Sequence, residues 1–269
     1  MSNGPKIVEV PGVPSLADEF AAFERERQQR RDRKRARAGV PGDGAPRRAR
    51  APVRPLRARG GVGAAVAGEG GGVTTVLLSG GLDSTVALFW ARERWADVSA
   101  MSVDYKQKHR RELASAAHVA ALAGVSHSVK RLEYPWPVMS GPVLAGRNSV
   151  LLMIAASHDA SKAGGAGRVI IGACAADALA FVDCRPEYLL IKQQELTLGL
   201  GCPIELVAPF VDRTKAQIVQ EARRLGAWDA VAASWSCYEG GDRPCGACGA
   251  CMYRAEGFAR AGEVDPWHA

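Results

Sequence analysis

The sequence has no long hydrophobic run and few aromatic residues. Of its 269 residues, 6% are aromatic, 23% are charged and 47% are hydrophobic, and the last two are ordinary proportions for a globular protein. No stretch of about 18 or more apolar residues occurs, so we expect no membrane-spanning helix. The N-terminus lacks the basic start, apolar stretch and small-residue cleavage site of a secretory signal. We therefore expect a cytoplasmic protein without membrane contact.

An excess of positive charge is missing from most of the chain, although the net charge is +7. Up to Gly70 the sequence contains 15 Lys plus Arg against 8 Asp plus Glu, and the remainder contains 20 of each. The basic overall composition is therefore no argument that the main domain binds nucleic acid. The basic N-terminal arm could contact nucleic acid or a protein partner, but a solvated extension is the simpler interpretation.

Residues 1–72 also lack the composition needed to build a core. The part from Ala36 to Gly72 consists largely of Arg, Pro, Gly and Ala, which predicts a flexible linker or disordered tail. One helix could begin at Ser15, with Leu16, Phe20 and Phe23 near one face. We predict that residues 1–72 form a basic, largely disordered extension.

From Val73 onwards, short β-branched runs alternate with segments of helical spacing. The runs predict strands at Val73–Leu78, Val98–Val103, Ser128–Leu132, Val169–Ile171 and Ile204–Val207. The intervening segments predict helices at Thr85–Arg94, Arg111–Ala123, Ser149–Lys162, Pro186–Leu198 and Thr214–Leu225. This alternation predicts an α/β fold with a Rossmann-like, doubly wound parallel sheet. Ligands bind such sheets beyond the carboxyl ends of the strands, so the loops after Leu78, Val103 and Ile171 should face one cleft.

The first strand is followed by a glycine-containing motif that leads directly into a helix, Ser79-Gly80-Gly81-Leu82-Asp83-Ser84. Two adjacent glycines let the backbone approach a ligand closely, and the helix start offers unpaired N–H groups to an anion. No Gly-Lys-Ser or Gly-Lys-Thr follows, so the motif is not a Walker loop. It resembles the PP-loop of the ATP pyrophosphatases, which holds the pyrophosphate of ATP while the enzyme adenylates a carboxylate or carbonyl oxygen.

Four of the seven cysteines lie within fifteen residues, at Cys237, Cys245, Cys248 and Cys251. The odd total and this crowding argue against a disulfide framework. Four thiolates without an open position are typical of structural zinc, and an iron–sulfur cluster is the second interpretation. A zinc ribbon that binds nucleic acid would have the same spacing, but few Lys or Arg surround these cysteines.

Further motifs narrow the resemblance to one family. They are the block Asp104–Leu113, the triplet Gly146-Arg147-Asn148, the run Asp183–Glu187, and Ser234–Tyr238 followed by Pro244-Cys245-Gly246. In this order they resemble the motifs of the 7-cyano-7-deazaguanine (preQ0) synthase family, QueC, from about Val73 to Pro266. The resemblance implies a PP-loop ATP pyrophosphatase domain over residues 73–234 and a zinc-binding C-terminal module over residues 235–269 that packs on it.

The resemblance also implies a reaction and its cofactors. ATP would adenylate the carboxylate of 7-carboxy-7-deazaguanine, and ammonia would displace AMP to give an amide. A second ATP would activate the amide oxygen, and elimination would give the nitrile. The expected cofactors are ATP, Mg²⁺ and Zn²⁺, and the expected assembly is a homodimer.

Residue roles follow from the same resemblance together with the predicted elements. The pyrophosphate would be held by Ser79, Gly80, Gly81, Leu82, Asp83 and Ser84, with Asp83 close to Mg²⁺. Catalysis would involve Ser79, Asp83, Arg147 and Lys215. The substrate would be contacted by Gln107, His109, Arg147, Asn148, Asp177, Asp183 and Arg185. A cation is disfavoured at a helix start unless an anion is bound there, which supports Arg147 as a ligand-binding residue.

The sequence departs from the family pattern in three places, one of which is the stretch between Tyr134 and Gly146, where the family usually has a longer, lid-like insertion. Before Asp183 the family usually has Gly-x-Asn-x-x-Asp-x-Ser-Gly-Tyr-Pro, but here Cys174, Leu179, Phe181 and Val182 replace Asn, Ser, Tyr and Pro. Lys106 replaces the Gly of Asp-Tyr-Gly-Gln. The loss of hydrogen-bonding groups changes which ligand a site prefers.

Three alternatives therefore stand beside the synthase. The first is a paralogue that adenylates a related carboxylate for amide formation or conjugation. The second is a tRNA-modifying PP-loop synthetase, for which a thiolating enzyme would need Cys174 or Cys184 as a catalytic thiol. The third is a zinc-stabilised protein that binds nucleotide or nucleic acid without catalysis, although the intact PP-loop argues against it.

Overall fold

The computed structural model describes residues 72–107, 110–133, 146–162, 166–239 and 241–267. All of them lie within one compact unit, Arg59–Ala269. Apart from Gly72, the predicted extension and its helix near Ser15 lie outside the described residues, as does His109. None of the helices in the described ranges is long and apolar enough to cross a membrane.

Five parallel strands form the sheet: β1 (Val73–Leu77), β2 (Val98–Asp104), β3 (Ser126–Arg131), β4 (Gly167–Ile171) and β5 (Ile204–Val207). Their order in the sheet is β3-β2-β1-β4-β5. The order reverses between β1 and β4, which run side by side up to the pair Leu77 and Ile171. The predicted doubly wound sheet and its five strands are thereby confirmed, and the crevice expected at a reversal of strand order lies above β1 and β4.

Eight α-helices accompany the strands in the described part of the chain. They are α1 (Leu82–Arg92), α2 (Arg111–Leu122), α3 (Arg147–Lys162), α4 (Ala175–Ala180), α5 (Pro186–Leu200), α6 (Lys215–Arg224), α7 (Trp228–Ala233) and α8 (Gly249–Ala261). The five long helices predicted from the periodicity are confirmed. Pro186 occupies the first turn of α5, and Thr214 caps α6 by accepting a hydrogen bond from the Gln217 N–H. Helices α4, α7 and α8 were not predicted.

Apolar side chains cover both faces of the sheet. On one face, Val76 of β1 packs in a cluster with residues of α1, α2, α6, α7 and α8, among them the fully buried Ile218 and Phe258. On the other face, Leu77 packs with residues of α3 and α5, among them Leu152 and Leu196. Successive strand residues thus enter opposite layers, as expected for a parallel sheet buried on both sides. The packed sheet and helices hold the loops at the carboxyl ends of the strands in place.

Candidate active site

The loop between β1 and α1 is a tight turn whose shape depends on glycine. Gly80 has φ +91°, and a Cβ there would lie 2.1 Å from the backbone oxygen of Glu112, so no other residue fits. The Ser79 and Ser84 hydroxyls are 2.9 Å apart, and the Gly81 N–H donates to Ser79 Oγ at 3.2 Å. Gly81 is the N-cap residue of α1. The turn therefore presents two hydroxyls and a helix start to the cleft, which is the geometry of an anion site.

The segment that leaves β4 packs directly on this turn. A Cβ at Gly172 would lie 2.7 Å from both the Cα and the N of Ser84, so the two backbones approach as closely as glycine permits. The residues after Gly172, including Cys174 and Asp177, are thereby brought to the first turn of α1, where Asp83 lies. The crevice between β1 and β4 is lined from both sides by predicted site residues.

Asp83 and Lys215 form an ion pair at the base of this crevice. Lys215 Nζ lies 2.7 Å from Asp83 Oδ1 and 2.5 Å from Oδ2, and both side chains are largely buried. Burial lowers the pKa of Lys215, but Asp83, Cys174 and Asp177 together raise it above its ordinary value, so the ammonium stays charged. Burial raises the pKa of Asp83, while Lys215 opposes that shift. Lys215 therefore lies in the cleft beside Asp83 and is not a solvated surface residue.

Asp83, Cys174 and Asp177 place their ligand atoms within 4.8 Å of one another. Asp177 lies in the first turn of α4, and its Oδ2 accepts a hydrogen bond from the Cys174 N–H at 3.0 Å. Burial, reinforced by the nearby Asp83 carboxylate, raises the pKa of Cys174 to about 12. Cys174 is therefore a neutral thiol, and the two carboxylates are the groups that can bind a hard cation.

Arg147 and Asn148 begin α3 on the opposite side of the cleft. Asn148 is buried, its backbone N–H donates to Asp183 Oδ2 at 3.2 Å, and its side-chain amide donates to Cys184 Sγ at 3.2 Å. Burial lowers the pKa of Arg147, but the Tyr105 hydroxyl to which it donates and the Asp183 carboxylate raise it above its ordinary value. The motifs at residues 146–148 and 183–187 therefore meet in space.

Two other predicted substrate residues make backbone contacts. The Gln107 side chain accepts a hydrogen bond from the Tyr105 N–H at 3.0 Å and donates to the Val103 carbonyl at 3.4 Å, which shapes the turn after β2. Arg185 Nε donates to the Ala178 carbonyl at 3.2 Å and holds α4 in place. Their contacts with a substrate remain predictions.

Glu112 is a cleft residue for which the sequence motifs predict no role. It lies in the first turn of α2, and its backbone oxygen faces Gly80 of the PP-loop. Burial raises the pKa of its carboxyl group to about 8, although Arg147 opposes the shift. In the sequence, its position in the block Asp104–Leu113 is the feature that points to a role. A glutamate in the first turn of a helix is by itself ordinary.

The four C-terminal cysteines converge on one point. Their sulfur atoms lie within 4.8 Å of one another, and Cys245 Sγ and Cys251 Sγ are 4.0 Å apart. Tetrahedral Zn–S bonds of about 2.3 Å separate sulfurs by about 3.8 Å, so the cluster fits this ion. The Cys248 N–H donates to Cys245 Sγ at 3.2 Å and the Cys245 N–H to Cys237 Sγ at 3.4 Å. Such N–H···S contacts stabilise thiolate ligands.

The segment around this cluster contacts the PP-loop and Lys215. The Trp235 N–H donates to the Gly80 carbonyl at 2.7 Å, and the Arg111 guanidinium lies 4.3 Å from the Trp235 ring centroid. A Cβ at Gly257 of α8 would lie 2.3 Å from Lys215 Cγ, so the lysine stem rests on that glycine. The C-terminal residues therefore form part of the wall of the cleft.

Comparison with known proteins agrees with this arrangement. The profile described as queuosine biosynthesis protein QueC matches residues 73–139 and 137–262. The 7-cyano-7-deazaguanine synthase of Laribacter hongkongensis is 37% identical over 213 residues, which cover 71% of this chain and 92% of that protein. The synthase of Archaeoglobus fulgidus is also 37% identical over 213 residues, covering 71% and 87%.

Among solved structures, NMN synthetase from Francisella tularensis is similar with a TM-score of 0.44 and 14% identity, covering 71% of this chain and 78% of that chain. The family profile spans every motif from the PP-loop to the cysteine cluster. The chain belongs to the QueC family.

Proposed function

We propose that the protein is a 7-cyano-7-deazaguanine synthase, an ATP-dependent ligase that converts 7-carboxy-7-deazaguanine and ammonia to the nitrile through an adenylated acid and an amide. The main support is that the chain is 37% identical to the 7-cyano-7-deazaguanine synthase of Laribacter hongkongensis over 92% of that protein's length. The geometry supports adenylation, because a PP-loop, a buried lysine and two carboxylates meet at the strand-order reversal. A carboxylate is a poor electrophile, and linking it to AMP supplies a good leaving group.

The PP-loop residues bind the pyrophosphate in this proposal. The hydroxyls of Ser79 and Ser84 and the backbone of Gly80, Gly81 and Leu82 donate to the phosphate oxygens at the start of α1. Lys215 stays protonated beside them and neutralises the charge that moves onto pyrophosphate.

The two carboxylates fit Mg²⁺, which usually binds to one or two carboxylates together with substrate phosphates. Asp83 and Asp177 are the residues that hold it, and the ion supplies charge stabilisation at the phosphoryl oxygens. Arg147 and Asn148, beside Asp183, bind the acid and its purine-like ring, with Arg185 holding α4. Gln107 and His109 are the other two residues that we propose as substrate contacts.

The cysteine cluster holds structural zinc in this proposal. Cys237, Cys245, Cys248 and Cys251 provide four sulfur ligands, which leaves no open position for catalysis. Zinc is preferred to an iron–sulfur cluster because adenylation needs no redox centre.

The structure disfavours the tRNA-thiolating alternative. Such an enzyme needs a reactive thiolate in the cleft, and the candidates from the sequence are Cys174 and Cys184. Burial raises the pKa of each thiol to about 12, and carboxylates near both reinforce the shift. Thiols with these pKa values are almost fully protonated at neutral pH and are poor nucleophiles.

One observation favours a second candidate within the family, namely adenylation of a related carboxylate. The loop that carries the departures exposes apolar side chains beside the cleft, with Leu179 70% and Val182 57% exposed. A substrate with an apolar extension would cover these two side chains and remove them from water.

Incubation with MgATP, 7-carboxy-7-deazaguanine and ammonium, with products identified by mass spectrometry, tests the proposal. We expect AMP, pyrophosphate and the nitrile, and we expect Asp83→Asn to abolish all three. Asp229→Asn, an exposed aspartate in the first turn of α7, is the control and should leave the products unchanged. An amide or conjugate without nitrile would favour the second candidate, and no AMP with any acid would refute both.

A further inference from the structure

Glu112 has the position of a group that acts on the reacting atoms. Its backbone oxygen packs against Gly80, so the PP-loop fixes the first turn of α2 at the edge of the cleft. Arg147, at the start of α3, lowers the pKa of the Glu112 carboxyl group through its positive charge. A carboxyl group placed between the phosphate loop and the substrate side can reach the bond that joins them.

The neighbours of Glu112 come from three other segments. Arg147 interacts electrostatically with Glu112 and donates a hydrogen bond to the Tyr105 hydroxyl at the end of β2. Burial raises the pKa of Tyr238, and the carboxyl groups of Asp177 and Glu112 raise it further, so both carboxyl groups lie near Tyr238. Glu112 thus belongs to a cluster that bridges the pyrophosphate side, with Asp177, and the acid-binding side, with Arg147.

The proposed reaction needs a proton acceptor, and the other cleft residues do not supply it. Ammonia attacks the adenylated carbonyl carbon, its lone pair forms the C–N bond, and the electrons of the C–O bond leave with AMP. The nitrogen must then lose one proton to give the neutral amide. Lys215 and Arg147 are cationic, and Cys174 and Cys184 are neutral thiols. Asp83 and Asp177 hold Mg²⁺ in the proposed function, and Asp183 accepts the Asn148 N–H.

We propose that Glu112 is the general base that takes this proton from the ammonia nitrogen. This inference rests on the proposed function. The carboxylate of Glu112 becomes a carboxylic acid, and acyl adenylate plus ammonia becomes amide plus AMP, so atoms and charges balance. Because burial raises the pKa of Glu112 to about 8, its carboxylate is a stronger base than an exposed one.

Glu112→Gln separates this step from adenylation, because the amide keeps the size of the side chain and removes the basic oxygen. We expect acid-dependent exchange of labelled pyrophosphate into ATP, which needs no ammonia, to stay within about 3-fold of the wild type. In a single turnover of preformed adenylate, we expect the ammonia step to slow by about 100-fold or more, a typical contribution of a general base. Glu205→Gln, an exposed glutamate on β5 paired with Arg168, is the control and should change neither rate.

The pH dependence supplies a readout that a merely structural role would not change. With free ammonia held constant, the ammonia step of the wild type should rise with pH to a plateau above about 8, and Glu112→Gln should remove this rise. Glu112→Asp, which keeps a carboxylate on a shorter stem, should restore part of the rate, and thermal melting should show that all variants fold.

An ammonia step within 3-fold of the wild type in Glu112→Gln would overturn the inference, and so would equal loss of exchange and ammonia steps in a folded variant. Absence of acid-dependent exchange in the wild type would instead refute the proposed function itself.

Discussion

At the scale of single residues, Lys106 adopts a strained backbone conformation at a position where the family usually has glycine. Among the described residues, it is the only one other than glycine with a positive φ, at +62°. The left-handed conformation costs a residue with a Cβ about 1–2 kcal/mol, which accounts for the glycine that the family usually has here. Lys106 offsets part of this cost through its backbone N–H, which donates to Asp104 Oδ1 at 3.0 Å.

Lys106→Gly should therefore raise the free energy of unfolding by about 0.5–1 kcal/mol, since relief of the strain exceeds the chain entropy that glycine adds to the unfolded state. Chemical denaturation measures this. Lys106→Ala is the control, because it removes the same exposed pair with Glu133 and keeps the strain. Equal stability of the two variants would show that the turn is not strained.

Asp159 is a buried carboxyl group in the core. It is fully buried, and its Oδ1 accepts a hydrogen bond from Thr75 Oγ1 at 2.5 Å. Burial, reinforced by Asp97, raises its pKa to about 6 from an ordinary value of 3.8. The folded state therefore binds a proton more tightly than the unfolded state, and the residue loses stability as the pH rises from about 4 to about 6.

Asp159→Asn should remove this loss, because the amide cannot ionise and still offers an oxygen to Thr75. Relative to the wild type, the variant should gain about 2–3 kcal/mol between pH 4 and pH 7. Denaturant unfolding across this range measures the gain, with Asp212→Asn at an exposed site as the control. A pH-independent difference between variant and wild type would contradict the assignment.

At the scale of elements, the sequence predicted the long segments correctly because each has a clear period or a clear end. Helix α5 begins at Pro186, which needs no N–H there, and α6 ends before Gly226, whose φ is +64°. The short helices α4 and α7 span only six residues each, too few to display a helical period. Helix α8 begins at Gly249 inside the cysteine motif, so the metal pattern concealed its start.

The candidate site was predictable to the extent that its residues stand in motifs. The PP-loop, Asp177, Asp183 and the four cysteines follow from the pattern. The pairing of Asp83 with Lys215 did not, because the two residues are 132 positions apart and nothing local links them. Glu112 was assigned no role for the same reason, since its raised pKa comes from burial among other segments.

The packing of α6 on α8 gives a prediction at this scale. Gly257→Ala should favour an isolated helix by about 1 kcal/mol, but here the new Cβ displaces the Lys215 stem 2.3 Å away. We expect pyrophosphate exchange to fall at least about 10-fold in kcat while the KM of the acid changes little. Gly199→Ala on α5, where a Cβ meets open space, should leave kcat unchanged. Unaltered exchange in Gly257→Ala would show that Lys215 needs no such support.

At the scale of the whole molecule, the cysteine cluster connects the end of the chain to the active site. Arg254 of α8 is buried, and its guanidinium donates to Asp265 at 2.7 and 2.9 Å and to Ser234 Oγ at 2.8 Å. Ser234 directly precedes Trp235, whose N–H is bonded to Gly80 of the PP-loop. A metal held by the cysteines would therefore stabilise the wall of the cleft as well as the C-terminal residues.

Cys248→Ser should lower the zinc content of the purified protein. It should also lower the melting temperature by roughly 10 °C, because a lost ligand costs roughly 3 kcal/mol of metal-dependent stability and about 1 kcal/mol corresponds to about 2–4 °C in a domain of this size. Elemental analysis and thermal melting measure the two effects. Cys202→Ser, half-buried and outside the cluster, is the control. Equal zinc content in the two variants would contradict the proposed metal site.

The central claim is that the PP-loop cleft activates oxygen atoms of the substrate by adenylation. The most direct test follows heavy oxygen from 7-carboxy-7-deazaguanine labelled at both carboxylate oxygens, with AMP analysed by mass spectrometry after complete conversion. We expect each AMP to carry one labelled oxygen, because the acid and then the amide each transfer their oxygen to it. Unlabelled AMP, with the label in phosphate or retained in the product, would show that the substrate is not adenylated.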